Sequence, residues 1–116
     1  MEIVEIENRW SWGETINMIC EGCSVCHLEF KDGTNWGYVY GLTVHPSRRR
    51  QGIAGRLMEK TEEECIYYGY PEIRLDVEKT RRFQFEWYKR LGYEVWAEDD
   101  ELYYMKKKLD LPQESD

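Results

Sequence analysis

The spacing of the hydrophobic residues changes at Pro46, and this change constrains the fold more than any other feature of the chain. Residues 36–44 form a β-rich run that the proline stops. In residues 53–68 the apolar positions recur at helical spacing, and residues 73–77 return to a short strand pattern. The sequence therefore predicts a strand–helix–strand crossover whose two strands lie parallel.

The predicted helix has two distinct faces. The face expected to be buried carries Ile53, Leu57, Met58, Thr61, Cys65 and Tyr68. The face expected in water carries Glu59, Glu62, Glu63 and Glu64. Gly69 and Pro71 follow and predict the end of the helix.

Short strands precede this unit. Residues 2–8 alternate apolar and acidic side chains, which predicts a first strand. Residues 15–30 predict a hairpin around a two-residue turn, Glu21-Gly22, in which Cys20 faces Cys23. A turn at residues 31–35 then leads into the strand at 36–44.

A second helix and a closing hairpin complete the chain. Thr80 is predicted to cap a helix whose buried stripe is Phe83, Trp87, Tyr88 and Leu91. Residues 93–97 and 102–108 predict the hairpin. The expected fold is α+β, with one mixed, mostly antiparallel sheet and two main helices. It forms a single domain over residues 1–111, followed by a polar tail at 112–116.

Composition excludes several classes of function. The net charge of −7 argues against general nucleic-acid binding, which depends on neutralising phosphates. The N-terminus has no basic and apolar leader pattern, and no apolar run approaches the roughly 20 residues of a membrane span. We therefore expect a cytoplasmic protein with no membrane partner.

Residues 48–56 predict an anion-binding turn. Arg49, Gly52 and Ala54 follow the pattern Arg-x-x-Gly-x-Ala where a helix begins, and small residues there leave the backbone N–H groups open to a phosphate. Five of the sixteen basic residues of this acidic chain fall within residues 48–60. The alternative is a surface loop with solvated arginines.

Three cysteines at regular spacing raise the question of a metal or redox protein. Cys20, Cys23 and Cys26 are each two residues apart, and His27 follows, as in zinc, iron–sulfur or haem attachment motifs. A second Cys-x-x-Cys or His pair is missing. We therefore expect structural thiols and no metal.

Three motifs in order give the chain a family resemblance. They are Arg49-x-x-Gly52-x-Ala54 preceded by Leu42-Thr43-Val44-His45-Pro46, then Trp87-Tyr88-Lys89-Arg90-Leu91-Gly92-Tyr93, then the closing strand at 102–109. Between about residues 36 and 109 the chain resembles the GNAT-type N-acetyltransferases. The resemblance implies a central pair of parallel strands that splay apart.

The resemblance also implies acetyl-CoA as co-substrate in the groove between these strands. The backbone of Leu42, Thr43 and Val44 would pair with the pantetheine arm. Residues around the turn would hold the phosphates, namely Arg49, Arg50, Gln51, Gly52, Ile53, Ala54 and Gly55. Arg48 and Arg56 are further candidates for the ribose phosphate. Arg81 stands where the family often has a cofactor-binding Asn, which implies an ionic contact.

Two roles in acyl transfer follow from the same resemblance. Tyr88 matches the family's general-acid position, the alternative being a tyrosine that only fills the helix stripe. Tyr38 and Tyr40 stand on the strand where several members carry a glutamate base. Glu29 and Asp76 are the best remaining carboxylates, whereas His45 lies too near the phosphates.

The usual helix pair between the first two strands is missing, because only residues 8–13 separate them. This compact form implies an open cleft for a protein lysine, a protein N-terminus or another bulky amine, or one completed by a homodimer partner. Trp10, Trp12 and Trp36 are candidates to line it. The rival function is an acyl-CoA-binding module of the same fold without turnover.

Overall fold

Residues 2–20 and 24–112 are described by a computed structural model, and they form one sheet with two α-helices and a short 3₁₀ turn. The strands are β1 (Ile3–Trp10), β2 (Gly13–Cys20), β3 (Ser24–Lys31), β4 (Trp36–Thr43), β5 (Glu72–Glu78), β6 (Glu94–Glu98) and β7 (Leu102–Lys108). The helices are α1 (Ile53–Tyr67) and α2 (Arg82–Arg90), and the 3₁₀ turn is Pro46–Arg48. No helix in these two segments is long and apolar enough to cross a membrane.

The sheet is mixed, as the sequence predicts. Its strand order is β1-β2-β3-β4-β5-β7-β6. Strands β4 and β5 are parallel and are connected through α1, whereas the other neighbouring pairs are antiparallel. The predicted α+β fold is therefore confirmed.

The parallel strands stay together for only a short distance. Their ladder consists of Trp36↔Glu72, Gly37↔Ile73 and Tyr38↔Arg74. Beyond it, β4 continues to Thr43 and β5 continues to Glu78 without pairing to each other. The predicted splay therefore opens at residues 39–43 and 75–78.

Both helices pack on the same face of the sheet. Ile16 and Leu28 of the sheet share the core with Leu57 of α1 and Tyr88 of α2. Strands β1 and β2 pair from Ile3↔Cys20 to Trp10↔Gly13, which leaves room for a tight turn but not for a helix pair. Among the described residues, no helix covers the other face, which we call the open face; Val4, Ile6 and Trp10 of β1 and Tyr40 of β4 are exposed.

The predicted register of the first hairpin is wrong. Cys20 pairs with Ser24 rather than with Cys23, so three residues separate the strands instead of two. The predicted turn at Glu21-Gly22 and Cys23 itself lie outside the described residues. Strand β1 is also longer than predicted and reaches Trp10, because its ladder with β2 continues up to the turn.

Three expectations about the helices are corrected. Glu64 is only 8 % exposed, because β1 brings Glu5 under α1 and Lys60 bridges the two carboxylates. Phe83 is 81 % exposed, since α2 buries Tyr88 on the opposite side of its short length. Thr80 does not cap α2, whose first flanking residue is Arg81 and which has no side-chain cap.

Candidate functional site

The starts of α1 and α2 lie at the same edge of the sheet. Each helix follows one of the two parallel strands, β4 or β5, and parallel strands end at a common edge. In sheets of this kind, ligands bind where neighbouring strands diverge beyond their carboxyl ends. The splay between β4 and β5 is therefore the candidate site.

A bulge in β4 shapes one side of the splay. Val25 pairs with Thr43 and His27 pairs with Tyr40, so β4 carries one extra residue between these pairs. Gly41 has a φ of 65° there, and a Cβ on it would lie 2.6 Å from Cδ2 of His27. The backbone of residues 42–44 therefore runs free of β5 and is available to an extended ligand.

The start of α1 is open, as the anion-binding interpretation requires. Gly52 is the N-cap with φ 75°, no side chain caps the helix, and no acidic residue lies in its first turn. The first hydrogen bond of the helix runs from the Arg56 backbone N–H to the Gly52 carbonyl. The backbone N–H groups of Ile53, Ala54 and Gly55 therefore lack helical partners. A Cβ on Gly52 or Gly55 would meet nothing within 4 Å, so open space lies above this backbone.

The helix begins at Ile53, where the helical spacing of the apolar residues begins in the sequence. Arg50 and Gln51 lie in the exposed turn before Gly52. Arg50 has a φ of 65°, and it is the one non-glycine with a positive φ among residues 2–20 and 24–112. This conformation costs about 1–2 kcal/mol for an L-residue, and such strain is concentrated at functional turns.

Positive charge surrounds this edge of the sheet. Arg49, Arg50 and Arg56 are exposed around the start of α1. Across the splay, Arg81 is exposed at the start of α2, and its Nε donates to Oε2 of Glu78 at 3.3 Å. Both helix starts thus present uncapped N–H groups and arginines, an arrangement that attracts anions.

Tyr88 lies on α2, which packs on the face of the sheet that both helices cover; we call this the helix face. Its side chain is buried, and its ring centroid lies 5.0 Å from that of Trp87 and 5.7 Å from that of Tyr93, edge-on to the latter. Burial, aided by the nearby Cys26 thiol, raises the pKa of Tyr88 to about 12. Tyr88 is therefore a neutral hydroxyl that holds a proton.

On the open face, Tyr38 joins two carboxylates that the sequence singled out separately. The Tyr38 hydroxyl donates to Oδ2 of Asp76 at 2.6 Å, and Glu29 lies directly opposite Tyr38 in the β3–β4 ladder. Burial, then the bond to Asp76, raises the pKa of Tyr38 above its ordinary range. Sequence reasoning missed Tyr38 as a site residue, although its place on β4 beside the splay was a usable signal.

The proton donor and the carboxylates lie on opposite faces of the sheet. Asp76 is exposed between Leu75 and Val77, which are buried on the helix face, so Asp76 projects to the open face. Tyr88 belongs to the helix face. Because the splay connects the two faces, a group lying in it could meet a hydroxyl on one side and a carboxylate on the other.

Beside Tyr38 the open face forms a shallow pocket of about 180 Å³. Glu29, Lys31, Thr34, Trp36 and Tyr38 line it. Trp36 lines this pocket, whereas the rings of Trp10 and Trp12 stack on each other with centroids 6.2 Å apart. The Trp36 ring also covers the Arg74 guanidinium, 3.9 Å away.

The described thiols are poor candidates for a metal site. Cys20, Cys26 and Cys65 are buried and reduced, and burial raises the pKa of Cys26 to about 11 and that of Cys65 to about 12. Within the described chain, the one group close enough to hold an ion is Glu5, Glu7 and Glu64, and Lys60 already bridges two of these carboxylates.

His45 has a structural role. Its Nδ1 accepts a hydrogen bond from the backbone N–H of Ser47 at 3.2 Å, which caps the 3₁₀ turn. The backbone N–H of His45 donates to Oγ of Ser24. The bond to Ser24 ties the segment that follows β4 to the start of β3.

Comparison with known proteins agrees with this geometry. The sequence model of the acetyltransferase (GNAT) family matches residues 16–93. Among solved structures, the PaiA N-acetyltransferase of Thermoplasma acidophilum in complex with coenzyme A has a TM-score of 0.70 at 21 % identity, covering 81 % of this chain and 59 % of its own.

Two further structures extend the comparison. The ribosomal-protein-S18-alanine N-acetyltransferase of Escherichia coli has a TM-score of 0.68 at 15 % identity and covers 91 % of this chain and 75 % of its own. Nourseothricin acetyltransferase has a TM-score of 0.72 at 17 % identity, with coverages of 86 % and 67 %. At these identities the structures share the fold, and the chain spans well under two thirds of the PaiA protein.

Proposed function

The chain belongs to the acetyltransferase (GNAT) family, and from this premise we propose that it transfers an acetyl group from acetyl-CoA to a primary amine by direct attack of the amine. The observation that carries the proposal is the splay between β4 and β5. Both strands of the splay lead into uncapped helix starts, and Tyr38 and Asp76 form a hydroxyl–carboxylate pair across the strands on the open face.

The residues at the splay fit coenzyme A. The open space above Gly52 and Gly55 and the free N–H groups at the start of α1 suit a diphosphate. Arg49, Arg50, Gln51 and Arg81 would add contacts to the phosphates. The backbone of Leu42, Thr43 and Val44 does not pair with β5, and on that side it would bind the amide-bearing arm as a neighbouring strand would.

The catalytic groups divide between the two faces. Acetyl-CoA supplies an acyl thioester, which a neutral amine attacks. Tyr88 would hold the proton that the departing sulfur needs, and its buried hydroxyl stays protonated well above neutral pH. Asp76, positioned by Tyr38, would bind the incoming ammonium and accept its proton, with Glu29 as the second carboxylate.

The shape of the open face favours a large acceptor. No described helix covers this face, and the pocket of about 180 Å³ is smaller than the roughly 300–1,000 Å³ of most small-molecule sites. A protein lysine, a protein N-terminus or another bulky amine can reach Asp76 across such an open surface. We therefore place the acceptor among amines that bring their own contact surface.

Two measurements test the proposal. Titration with coenzyme A should give a heat of binding and a rise in melting temperature, and incubation of acetyl-CoA with a panel of peptide and small amines should release free thiol. Tyr88→Phe should lower turnover while leaving coenzyme A affinity nearly unchanged.

The negative outcomes are distinct. If coenzyme A does not bind, the proposal fails as a whole. If it binds and no amine in the panel is acetylated, the chain is the acyl-CoA-binding module. If Tyr88→Phe is as active as the native chain, Tyr88 is not the acid.

A further inference from the structure

Glu62 was expected in water, yet it holds two partners from other parts of the fold. Its Oε2 accepts the Tyr93 hydroxyl at 3.0 Å, and its Oε1 accepts Nζ of Lys107 at 2.7 Å. The Glu62 side chain is only 17 % exposed, and Tyr93 is buried. A glutamate of α1, a tyrosine before β6 and a lysine of β7 therefore form one network.

This network ends against Tyr88. The rings of Tyr93 and Tyr88 meet edge-on, with centroids 5.7 Å apart, and the Tyr93 backbone N–H donates to the Tyr88 carbonyl at 3.0 Å. Aromatic rings favour this edge-on arrangement. The contact therefore restrains both rings. Because Glu62 holds the far end of Tyr93, it fixes the ring against which Tyr88 rests.

From these contacts we propose that Tyr93 is a positioning residue for Tyr88, held in place by Glu62 and Lys107. This inference rests on the proposed function, since it needs Tyr88 to act on the bound thioester. The network also joins α1, whose start faces the diphosphate site, to the end of α2, which carries Tyr88. It thereby fixes the acid relative to the helix that holds the cofactor.

Packing at Gly92 supports the placement of Lys107. Gly92 has a φ of 101°, and a Cβ on it would lie 3.3 Å from Cε of Lys107. The lysine stem therefore passes close to the turn that joins α2 to Tyr93, and Nζ lies 5.7 Å from the Tyr93 ring centroid. The carboxylate of Glu62 is the acceptor that neutralises this half-buried cation.

Tyr93→Phe is the sharpest test, because it removes the hydroxyl and keeps the ring. We expect kcat to fall by roughly fivefold to tenfold, because Tyr88 loses part of its positioning, with KM for acetyl-CoA and coenzyme A affinity within about twofold. Tyr68→Phe is the matched control. Tyr68 also donates to a glutamate, Glu7 at 2.8 Å, but at the opposite end of the sheet, so kcat should not change.

A double-variant cycle separates positioning from general stability. If Tyr93 acts through Tyr88, Tyr93→Phe should have no further effect on kcat in a Tyr88→Phe background. Equal kcat losses in both backgrounds, or losses in Tyr93→Phe that simply follow melting temperature, would overturn the inference. The proposed function fails in a different way, when the native chain has no turnover or Tyr88→Phe alone has no effect.

Discussion

Tyr38 and Asp76 are 38 positions apart in sequence, yet the hydroxyl of the first donates to the carboxylate of the second at 2.6 Å. They lie on the two parallel strands, and Asp76 projects from β5 just past Arg74, the last residue of β5 that pairs with β4. The bond therefore closes the open-face side of the splay at the point where the strands begin to separate. An acceptor approaching from this face meets the pair first.

Tyr38→Phe tests this pair. We expect kcat/KM for the amine to fall by about tenfold, since a hydrogen bond to a charged group contributes about 1.5–3 kcal/mol and part of this is lost at an exposed site. Coenzyme A affinity should stay the same. Tyr40→Phe is the control, because its ring lies 6.1 Å from that of Tyr38 on the same strand. Equal effects of both changes would contradict the assignment.

The pH dependence of turnover reports on Tyr88. Burial raises the pKa of its hydroxyl to about 12, so the acid keeps its proton across the working range. We expect kcat with a saturating amine to show no decline with rising pH below about pH 11. The measurement is a pH–rate profile of the native chain. A decline centred near the ordinary tyrosine pKa of about 10 would show that the burial of Tyr88 is lost in the working enzyme.

Replacement of Gly41 should be harmful for two reasons, its backbone conformation and its close contact with His27. Its φ of 65° strains any L-residue, and an added Cβ would lie 2.6 Å from the His27 ring. That ring cannot easily move, since Asn17 contacts its Nδ1 at 2.5 Å and Tyr40 stacks on it. We expect Gly41→Ala to lower the free energy of unfolding by about 2–4 kcal/mol through strain plus overpacking.

Comparison of Gly41→Ala with Gly33→Ala separates backbone strain from steric overlap. Gly33 has a φ of 86°, but a Cβ there would meet nothing within 4 Å. This control should lose only about 1 kcal/mol, or some 4–8 °C in melting temperature. Urea unfolding of both variants gives the comparison. A Gly41→Ala loss no larger than that of Gly33→Ala would mean that the bulge adapts to the extra methyl.

The stability of the fold should fall as pH rises through the titration of Glu64. Burial, then the hydrogen bond with Glu5, raises the pKa of Glu64 above its ordinary 4.5. Between pH 4.5 and that raised pKa, the folded chain keeps a proton that the unfolded chain releases, so stability decreases with rising pH in this window. Glu64→Gln should remove this contribution and flatten the curve.

Glu63→Gln is the matched control, because Glu63 is the exposed neighbour on the same helix. The measurement is the free energy of unfolding at several pH values between 4 and 8 or so. The difference between Glu64→Gln and the native chain should move in favour of the variant as pH rises. Parallel curves for all three proteins would contradict the raised pKa of Glu64.

Local pattern predicted much of this molecule. The change of hydrophobic spacing at Pro46 was enough to predict the parallel pair and α1, and the short link between the first strands correctly predicted that no helix pair lies there. The uncapped start of α1 also followed from Gly52 and its neighbours. These features depend on residues close together in sequence.

The remaining features depend on distant partners. Glu62 and Glu64 look solvated in sequence, but Lys107 of β7 packs against the first, and Glu5 of β1, bridged by Lys60, packs against the second, which is buried. The hairpin register was missed because Cys20 was paired with Cys23 across a two-residue turn. That register would have put His27 and Glu29 on the buried face, whereas the observed register puts Cys26, Leu28 and Phe30 there. In α2 the closely spaced aromatics allow several buried stripes, and Phe83 was assigned to the wrong one.

The short ladder between β4 and β5 divides the sheet into two antiparallel parts, β1–β4 before α1 and β5–β7 after it. Without a ligand, the facing edges of these two parts beyond Tyr38 leave peptide groups to water. A molecule lying in that gap would contact the peptide groups of both edges. Its binding should therefore slow amide hydrogen exchange on both edges together, most of all in residues 39–43.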